Sequence, residues 1–434
     1  MTANSATLDN FLTELNVRQS VLQGWTAALH LTETAVNQIV QSQWSALESK
    51  PVKAVWTNSA RDRLQLGFQL GDPVVQLQAG HDSVLVRHAI LDPSVQTGDA
   101  AARRLSAPSA YLESTVPVST TVSGDEHSVV LNFAASSSAI YGINASEINA
   151  PAAAQSIGKW FADQNTGIPV TTVNFGNLAG VASLQPSSMK LNAIQTSAGN
   201  RILQILIATQ GNQPTATRLD VGEPIPTESG ISYSLIINSK AVVQDVIVPG
   251  YNKGTGQVKL VAAAPDSESG AWHAQTRNPM QYHGRISCIA GNVNTESQSQ
   301  SGMNFLGTSD SGLMLKTYES PGNTISLQLS LSASYPITVS GSGLNQKIQL
   351  TATPASVAAT GVAENAVKPQ LEEFLNKDIM HDMTGISMDP VSSFALRSLS
   401  FPGHVPNMKT VQFPGDFVVV GTLEKESESA SQVC

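Results

Sequence analysis

Residues 25–47 read WTAALHLTETAVNQIVQSQWSAL, and the hydropathy of this stretch changes period once, at Thr32. Before that point Trp25, Ala27, Leu29 and Leu31 alternate with Thr26, Ala28 and His30, the period of two that places one face of a strand on a core. After it Val36, Ile39, Val40, Trp44 and Leu47 recur at helical spacing along one stripe, while Asn37, Gln38, Gln41 and Ser42 take the wet side. Thr32 is placed to cap the first free amides of the helix. A strand therefore feeds directly into an amphipathic helix.

A similar unit recurs half a chain later. ISYSLIIN is a strand from Ile231, and SKAVVQDVIVPGY carries Val242, Val243, Val246 and Ile247 at helical spacing, with Pro249-Gly250 as the expected stop. Leu29 and Leu235 take matching places, 206 residues apart. Between the two units RLQLGFQLG sets Leu64, Leu66, Phe68 and Leu70 on one face, and VVQLQA and VLVRHAI continue the alternation between turn signals at Gly71-Asp72-Pro73 and Gly80-His81-Asp82. Residues 92–110 read as a loop, followed by strands near 111–122 and 127–135. SEINAPAAAQSIGKWFAD, 146–163, is a helix with Pro151 in its first turn and Ile148, Ala152, Gln155, Ile157, Trp160 and Phe161 on its stripe. VTTVNFGNL, SSMKLNAIQ and RILQILIAT return to strand, and GEPIPTESG, 222–230, resists both helix and central strand.

The second half repeats this order. ISLQLSL, 325–331, answers RLQLGFQL; ASVAATGVAENAVKPQLEEFLNKDI, 355–379, is the second long helix, with Val367, Leu371, Phe374 and Leu375 on its apolar side. Ser183-Leu184-Gln185-Pro186 and Ser387-Met388-Asp389-Pro390, 204 residues apart, precede the closing strands, which end in ILIAT and FVVVGT. The expected fold class is α+β: two copies of one module, 1–222 and 223–424, with a disordered tail at 425–434.

Composition agrees with this organisation. A chain of 434 residues exceeds one ordinary core, so two cores are expected. Charged residues make up only 13%, below the usual quarter, and the abundant Ser, Thr, Asn and Gln suit β-sheet surfaces. The net charge of −9, with Lys and Arg scattered, argues against a nucleic-acid partner. Two cysteines, Cys288 and Cys434, give no disulfide framework. The first residues lack the basic start and apolar run of a signal peptide, and no stretch has the length of a membrane span. A soluble protein made in the cytoplasm is expected, reaching the outside, if at all, by a route other than the general secretory one.

Residues able to carry chemistry are sparse. His81-Asp82 and His381-Asp382 are neighbours in sequence, which rarely face one site, and read as turn polarity. His273, His283 and Cys288 match no ligand spacing and lack a fourth ligand; Cys288 reads as a buried structural thiol. KGTGQVK, 253–259, and GSGLNQ, near 341, read as turns, and the pattern Asn144-Ala145-Ser146 has meaning only in a secretory compartment. No catalytic residue, cofactor or metal is therefore expected, and the protein is read as a non-enzyme. The apolar stripes Val36, Ile39, Val40, Trp44; Val242, Val243, Val246, Ile247; and Leu371, Phe374 read as core, or as the lining of a groove that admits an acyl chain; periodicity does not separate the two.

The run SSFALRSLSFPGHVPNMKTVQFPGDFVVVGTL, 392–423, resembles the end of the accessory proteins encoded beside some botulinum neurotoxin genes, the forty-seven-kilodalton protein and the OrfX group. The matching elements are Phe394-Ala395-Leu396, Leu399 to Pro402, and Pro414-Gly415-Asp416 before a β-branched strand; both strand-helix units look like that family too. The family is similar to the tubular lipid-binding, or TULIP, superfamily. The resemblance implies a strongly curved antiparallel sheet rolled around a long helix in each module, and an accessory role binding a lipid or other apolar ligand, with other toxin-cluster proteins as partners. The rival readings are a structural or protein-interaction module with a solid core, and a directly acting insecticidal or pore-forming toxin.

Overall fold

In the computed structural model the described residues are 21–426, apart from 49–50, 59, 125, 145–146, 165, 175–185, 210–213, 215, 220–222, 227–229, 255–257, 265–271, 278–280, 289–290, 299–303, 306–310, 320–322, 333–334, 355, 361–368, 370–371, 374–375, 385, 387 and 414. The chain opens with strand β1 (Ala27–Thr32) and helix α1 (Glu33–Glu48). Thr32 Oγ1 accepts from the Ala35 amide at 3.1 Å, the cap expected from the sequence. There follow β2 (Val52–Thr57), β3 (Arg63–Leu77), β4 (Ser83–Thr97), β5 (Arg103–Arg104), β6 (Tyr111–Ser123), β7 (Glu126–Asn132) and β8 (Ser137–Tyr141), then α2 (Ala150–Asp163) and β9 (Gly167–Asn174), β10 (Pro186–Gln195) and β11 (Arg201–Thr209). The later part runs β12 (Tyr233–Ile237), α3 (Ser239–Val242), a π turn (Val243–Ile247), α4 (Val248–Asn252), β13 (Leu260–Ala263), β14 (His273–Thr276), β15 (Gln281–Cys288), β16 (Gly291–Gln298), β17 (Asn304–Phe305), β18 (Ser311–Glu319), β19 (Asn323–Ser332), β20 (Ile337–Ser340), β21 (Lys347–Leu350) and β22 (Ser356–Thr360). A π turn (Asn376–Met380), α5 (His381–Met383), α6 (Asp389–Ser393) and a further π turn (Phe394–Ser398) precede β23 (Leu399–Ser400), β24 (His404–Gln412) and β25 (Phe417–Lys425).

All pairings among these strands are antiparallel, in a β-rich fold with few helices. A six-stranded sheet has the order β10-β11-β1-β12-β25-β24, and a nine-stranded one runs β2-β3-β4-β6-β7-β9-β23 with β5 beside β4 and β8 beside β6. Leu29 lies directly opposite Leu235 at the β1–β12 pair. The large sheet is strongly curled. Its long strands β3 and β4 slip register between Gly67 and Gln69 and again between Leu70 and Pro73, and such bulges bend a sheet and increase its twist. Helix α1 packs against β3, β9, β1 and β11, so its apolar stripe is turned into the concavity.

Several expectations change here. Gly71-Asp72-Pro73 is not a turn but the bulge inside one 15-residue strand, β3, because its neighbour β4 stays paired on both sides of it. Of the loop expected at 92–110, residues 92–97 belong to β4 and Arg103–Arg104 form β5, with Asp92 at φ 50 taking the irregularity. The Gly80-His81-Asp82 turn forms as read. β1 is buried on both faces, not one. Ala27, Leu29 and Leu31 face the main cluster, whereas Ala28 joins Leu22, Trp25, Leu206, Leu219, Ile236, Val418 and Val420 behind the sheet. Trp25 precedes the strand and therefore does not share the face of Leu29.

Pro249 does not stop the second helix, which continues to Asn252. The π turn carries the Val248 amide to the Val243 carbonyl, and the proline stands in the first turn of α4, the place in a helix where a missing N–H is tolerated. At the start of the supposed long helix 355–379, residues 356–360 form β22, because β19 offers an open edge: Leu329 pairs Ala359 and Leu331 pairs Val357. Asp389-Pro390 opens a short helix ahead of the closing strands β23 to β25, while Pro186 enters β10 directly. On α2 the buried positions are Ala153, Ile157 and Phe161, and Gln155 is exposed. Among the described residues one main cluster holds side chains from Ala27 to Leu423. β25 reaches Lys425, so the first residue of the tail expected at 425–434 is strand; residues 427–434 lie outside the described ones.

Candidate functional site

The stripe of α1 lies in the interior. Val36, Ile39 and Val40 are fully buried and Trp44 is 1% exposed. The Trp44 ring meets His88 at 4.3 Å and Phe133 at 5.6 Å between centroids, and Phe133 continues to Phe161 at 5.3 Å. His88, on β4, donates from Nδ1 to the Gly71 carbonyl at 3.0 Å, since that oxygen can only accept. Burial lowers its pKa to about 4, partly opposed by the Gly71 bond, so the ring is neutral at pH 7 and Nε2 carries a bare lone pair. Nε2 of His88, Nε1 of Trp44 and the Tyr233 hydroxyl are buried without a hydrogen-bond partner, in an interior where each unpaired polar group is costly.

The stripe of the second unit is likewise interior. Val243 and Ile247 are fully buried, Val242 and Val246 nearly so, in the same cluster as the α1 stripe. Leu371 and Phe374 lie outside the described residues. His81 and His381 are exposed, in a turn and on α5, and His273 is buried in β14. The side chains of His283 and Cys288 lie outside the described ones, and the thiol reading with them. Asn144 is described, Ala145 and Ser146 are not. Among the described residues no group of three or more His, Cys, Asp or Glu is placed to hold a metal, and no helix is long and apolar enough to cross a membrane.

Two buried histidines escaped sequence reasoning. His30 alternates with the core-facing Leu29 and Leu31 of β1, yet it is fully buried behind the sheet. Ser234 Oγ spends its proton on the Pro224 carbonyl, so it accepts from His30 Nδ1 at 3.3 Å. Gln204 Nε2 donates to His30 Nε2 at 3.2 Å and to the Leu219 carbonyl at 3.2 Å, and Gln204 Oε1 accepts from the Leu219 amide. Burial lowers the His30 pKa to about 3. This network pins the segment carrying Leu219 and Pro224 to the sheet. The only local signal was a histidine in a strand otherwise apolar on both faces.

The open spaces lie elsewhere. A cleft of about 710 Å³ is bounded by the start of α1, the β10–β11 turn, residues 225–226 and 230–232 and the end of β25, and one of about 530 Å³ adjoins it along α1; Gln38 and Leu423 belong to both. A third, of about 520 Å³, lies at Ile90 to Pro93 and Arg104 to Pro108. None of the three is lined by the stripe residues.

No known protein family matches this chain by sequence, and no curated protein does. Solved structures do match in shape. The crystal structure of P47 of Clostridium botulinum E1 superposes with a TM-score of 0.61 at 10% identity, covering 93% of this chain and 100% of that one. This chain has the P47 fold. P47 from Clostridium botulinum A2 gives 0.59 at 9% identity, covering 93% of this chain and 98% of that one. The likeness to the forty-seven-kilodalton protein read from the closing strands is thus met in the fold along nearly the whole chain. A crystal structure of lipopolysaccharide binding protein aligns with a TM-score of 0.35 at 10% identity, over 92% of this chain and 99% of that one, below the level at which folds correspond.

Proposed function

We propose that this protein is a non-enzymatic accessory protein of a bacterial toxin-type system that binds a lipid or another apolar ligand. The observation that carries the reading is the P47 fold over 93% of the chain, with a curled sheet closed over the inward stripe of α1. The unpartnered polar atoms of Trp44, His88 and Tyr233 support it, since a guest with a polar group would satisfy what the protein leaves bare. The six-stranded sheet, reading outward from β1 and β12 as β11-β10 on one side and β25-β24 on the other, supports two repeated modules meeting at Leu29 and Leu235.

A second reading, an interaction module with a solid core, is favoured by the direct ring contacts of Trp44 with His88 and Phe133. Native mass spectrometry of gently purified protein, followed by organic extraction, decides between them. Bound lipid supports the first reading; a clean apo mass with nothing extractable after exposure to membranes sinks it. In the solid-core case Ile39→Phe and Val246→Phe each destabilise by about 1–3 kcal/mol through overpacking. In the ligand case they are tolerated and the ligand is lost.

A further inference from the structure

The polar face of α1, which the apolar-ligand reading leaves unused, borders the two adjoining clefts of about 710 and 530 Å³, sizes typical of small-molecule sites. Thr34, Gln38, Gln41 and Ser42 line one wall from the helix, and Gln195 and Asn200 face the larger cleft from the β10–β11 turn. Amide side chains present a donor and an acceptor together, and hydroxyls do both from one atom, the pattern that neighbouring hydroxyl groups of a ligand complement.

Charge in the larger cleft is already committed. Glu33 Oε2 accepts from the Leu77 amide at 2.8 Å and lies 3.7 Å from Arg201 Nη1. A helix start of this kind attracts anions, but here the first-turn carboxylate of Glu33 occupies it, so neither a phosphate nor a carboxylate finds a spare cation. The smaller cleft is lined by one charge of each sign, Asp72 and Lys425. Hydrogen-bonding capacity, by contrast, is spent only in part: Gln41 donates to the Pro73 carbonyl, Ser42 to those of Ile39 and Pro402, and Gln195 to that of Gly199. The side chains of Thr34 and Gln38 make no hydrogen bond to any described residue, and Thr422 Oγ1, at the wall, is buried without a partner. Ile202, Ile231 and Leu423 supply apolar patches between these groups, against which the C–H face of a sugar ring packs.

We propose that this cleft binds a neutral saccharide, read through the amides and hydroxyls of Thr34, Gln38, Asn200 and Thr422. The proposal is independent of the interior ligand. Its test is saturation-transfer NMR of the full chain with maltotriose, cellotriose and N-acetylchitotriose in turn, and with phosphocholine as the charged comparison. The expected result is transfer to at least one trisaccharide and none to phosphocholine, reduced at least tenfold by Gln38→Ala with an unchanged melting temperature. Should Gln38→Ala lower that temperature, Thr34→Val and Asn200→Ala read the same loss. Transfer to none of the three trisaccharides, transfer to phosphocholine alone, or trisaccharide transfer unchanged in all three variants overturns it.

Discussion

His30 shows how a single residue ties the back of the sheet together and makes it acid-sensitive. Its folded pKa of about 3 lies below the unfolded value of 6.5, so between those values the unfolded chain binds the extra proton. Stability is therefore full above about pH 6.5 and falls as pH drops toward 3. With one pKa unit worth about 1.4 kcal/mol, the loss is on the order of 5 kcal/mol for His30 alone. The charged ring would also present a second N–H to the Gln204 amide, which already donates there. His88, at about 4, adds a loss in the same direction, on the order of 3 kcal/mol. Urea unfolding across pH 7 to 4 is expected to show a falling midpoint, and His30→Gln is expected to flatten that fall; a pH-independent midpoint would refute the assignment. Trp44 makes a second prediction at this scale. Trp44→Ala is expected to cost about 3–5 kcal/mol, as for other buried tryptophans. Trp44→Phe, which keeps an aromatic ring and removes an unpartnered N–H, is expected to cost far less. Equal losses in urea titrations of the two would show that the indole N–H is satisfied.

Among the elements, the strand-to-helix unit of residues 27–48 is the most legible, since its period changes at the residue that caps the helix. Thr32→Ala is expected to lower stability by about 1 kcal/mol and Thr32→Asp to restore most of it, read by thermal melting. The turn signals were less reliable, for a physical reason. Gly71-Asp72-Pro73 breaks a strand only if its partner strand also ends, and β4 does not. Alanine-rich 355–360 favours helix by propensity, yet pairing with β19 decides in favour of strand. Close packing imposes its own demand at Gly421 of β25, where an added Cβ would meet the Asn407 carbonyl and come within 2.7 Å of the Tyr233 hydroxyl. Gly421→Ala is expected to destabilise by about 1–3 kcal/mol by pushing the β24 backbone and the Tyr233 ring away from β25. An unchanged melting temperature would contradict that contact.

For the molecule as a whole, the decisive feature is that β1 and β12 are neighbours in one sheet while the main apolar cluster draws on both halves. Residues 1–222 alone would expose the edge of β1 and part of that cluster, so the fragment is expected to aggregate or stay unfolded, and co-expression with 223–434 to recover soluble protein. A fragment 1–222 with dispersed amide NMR signals and cooperative melting would overturn this.

The sequence by itself determined the periodic elements, the inward stripes of Val36 to Trp44 and Val242 to Ile247, and the order of strand and helix, because periodicity reports which face of an element avoids water. Only the tertiary structure decided that Leu29 meets Leu235, that β1 is buried on both sides with His30 in a sealed network, and that two adjoining clefts lie along the polar face of α1. Those outcomes depend on which distant strands become neighbours, and a local pattern of hydropathy carries no record of its partner.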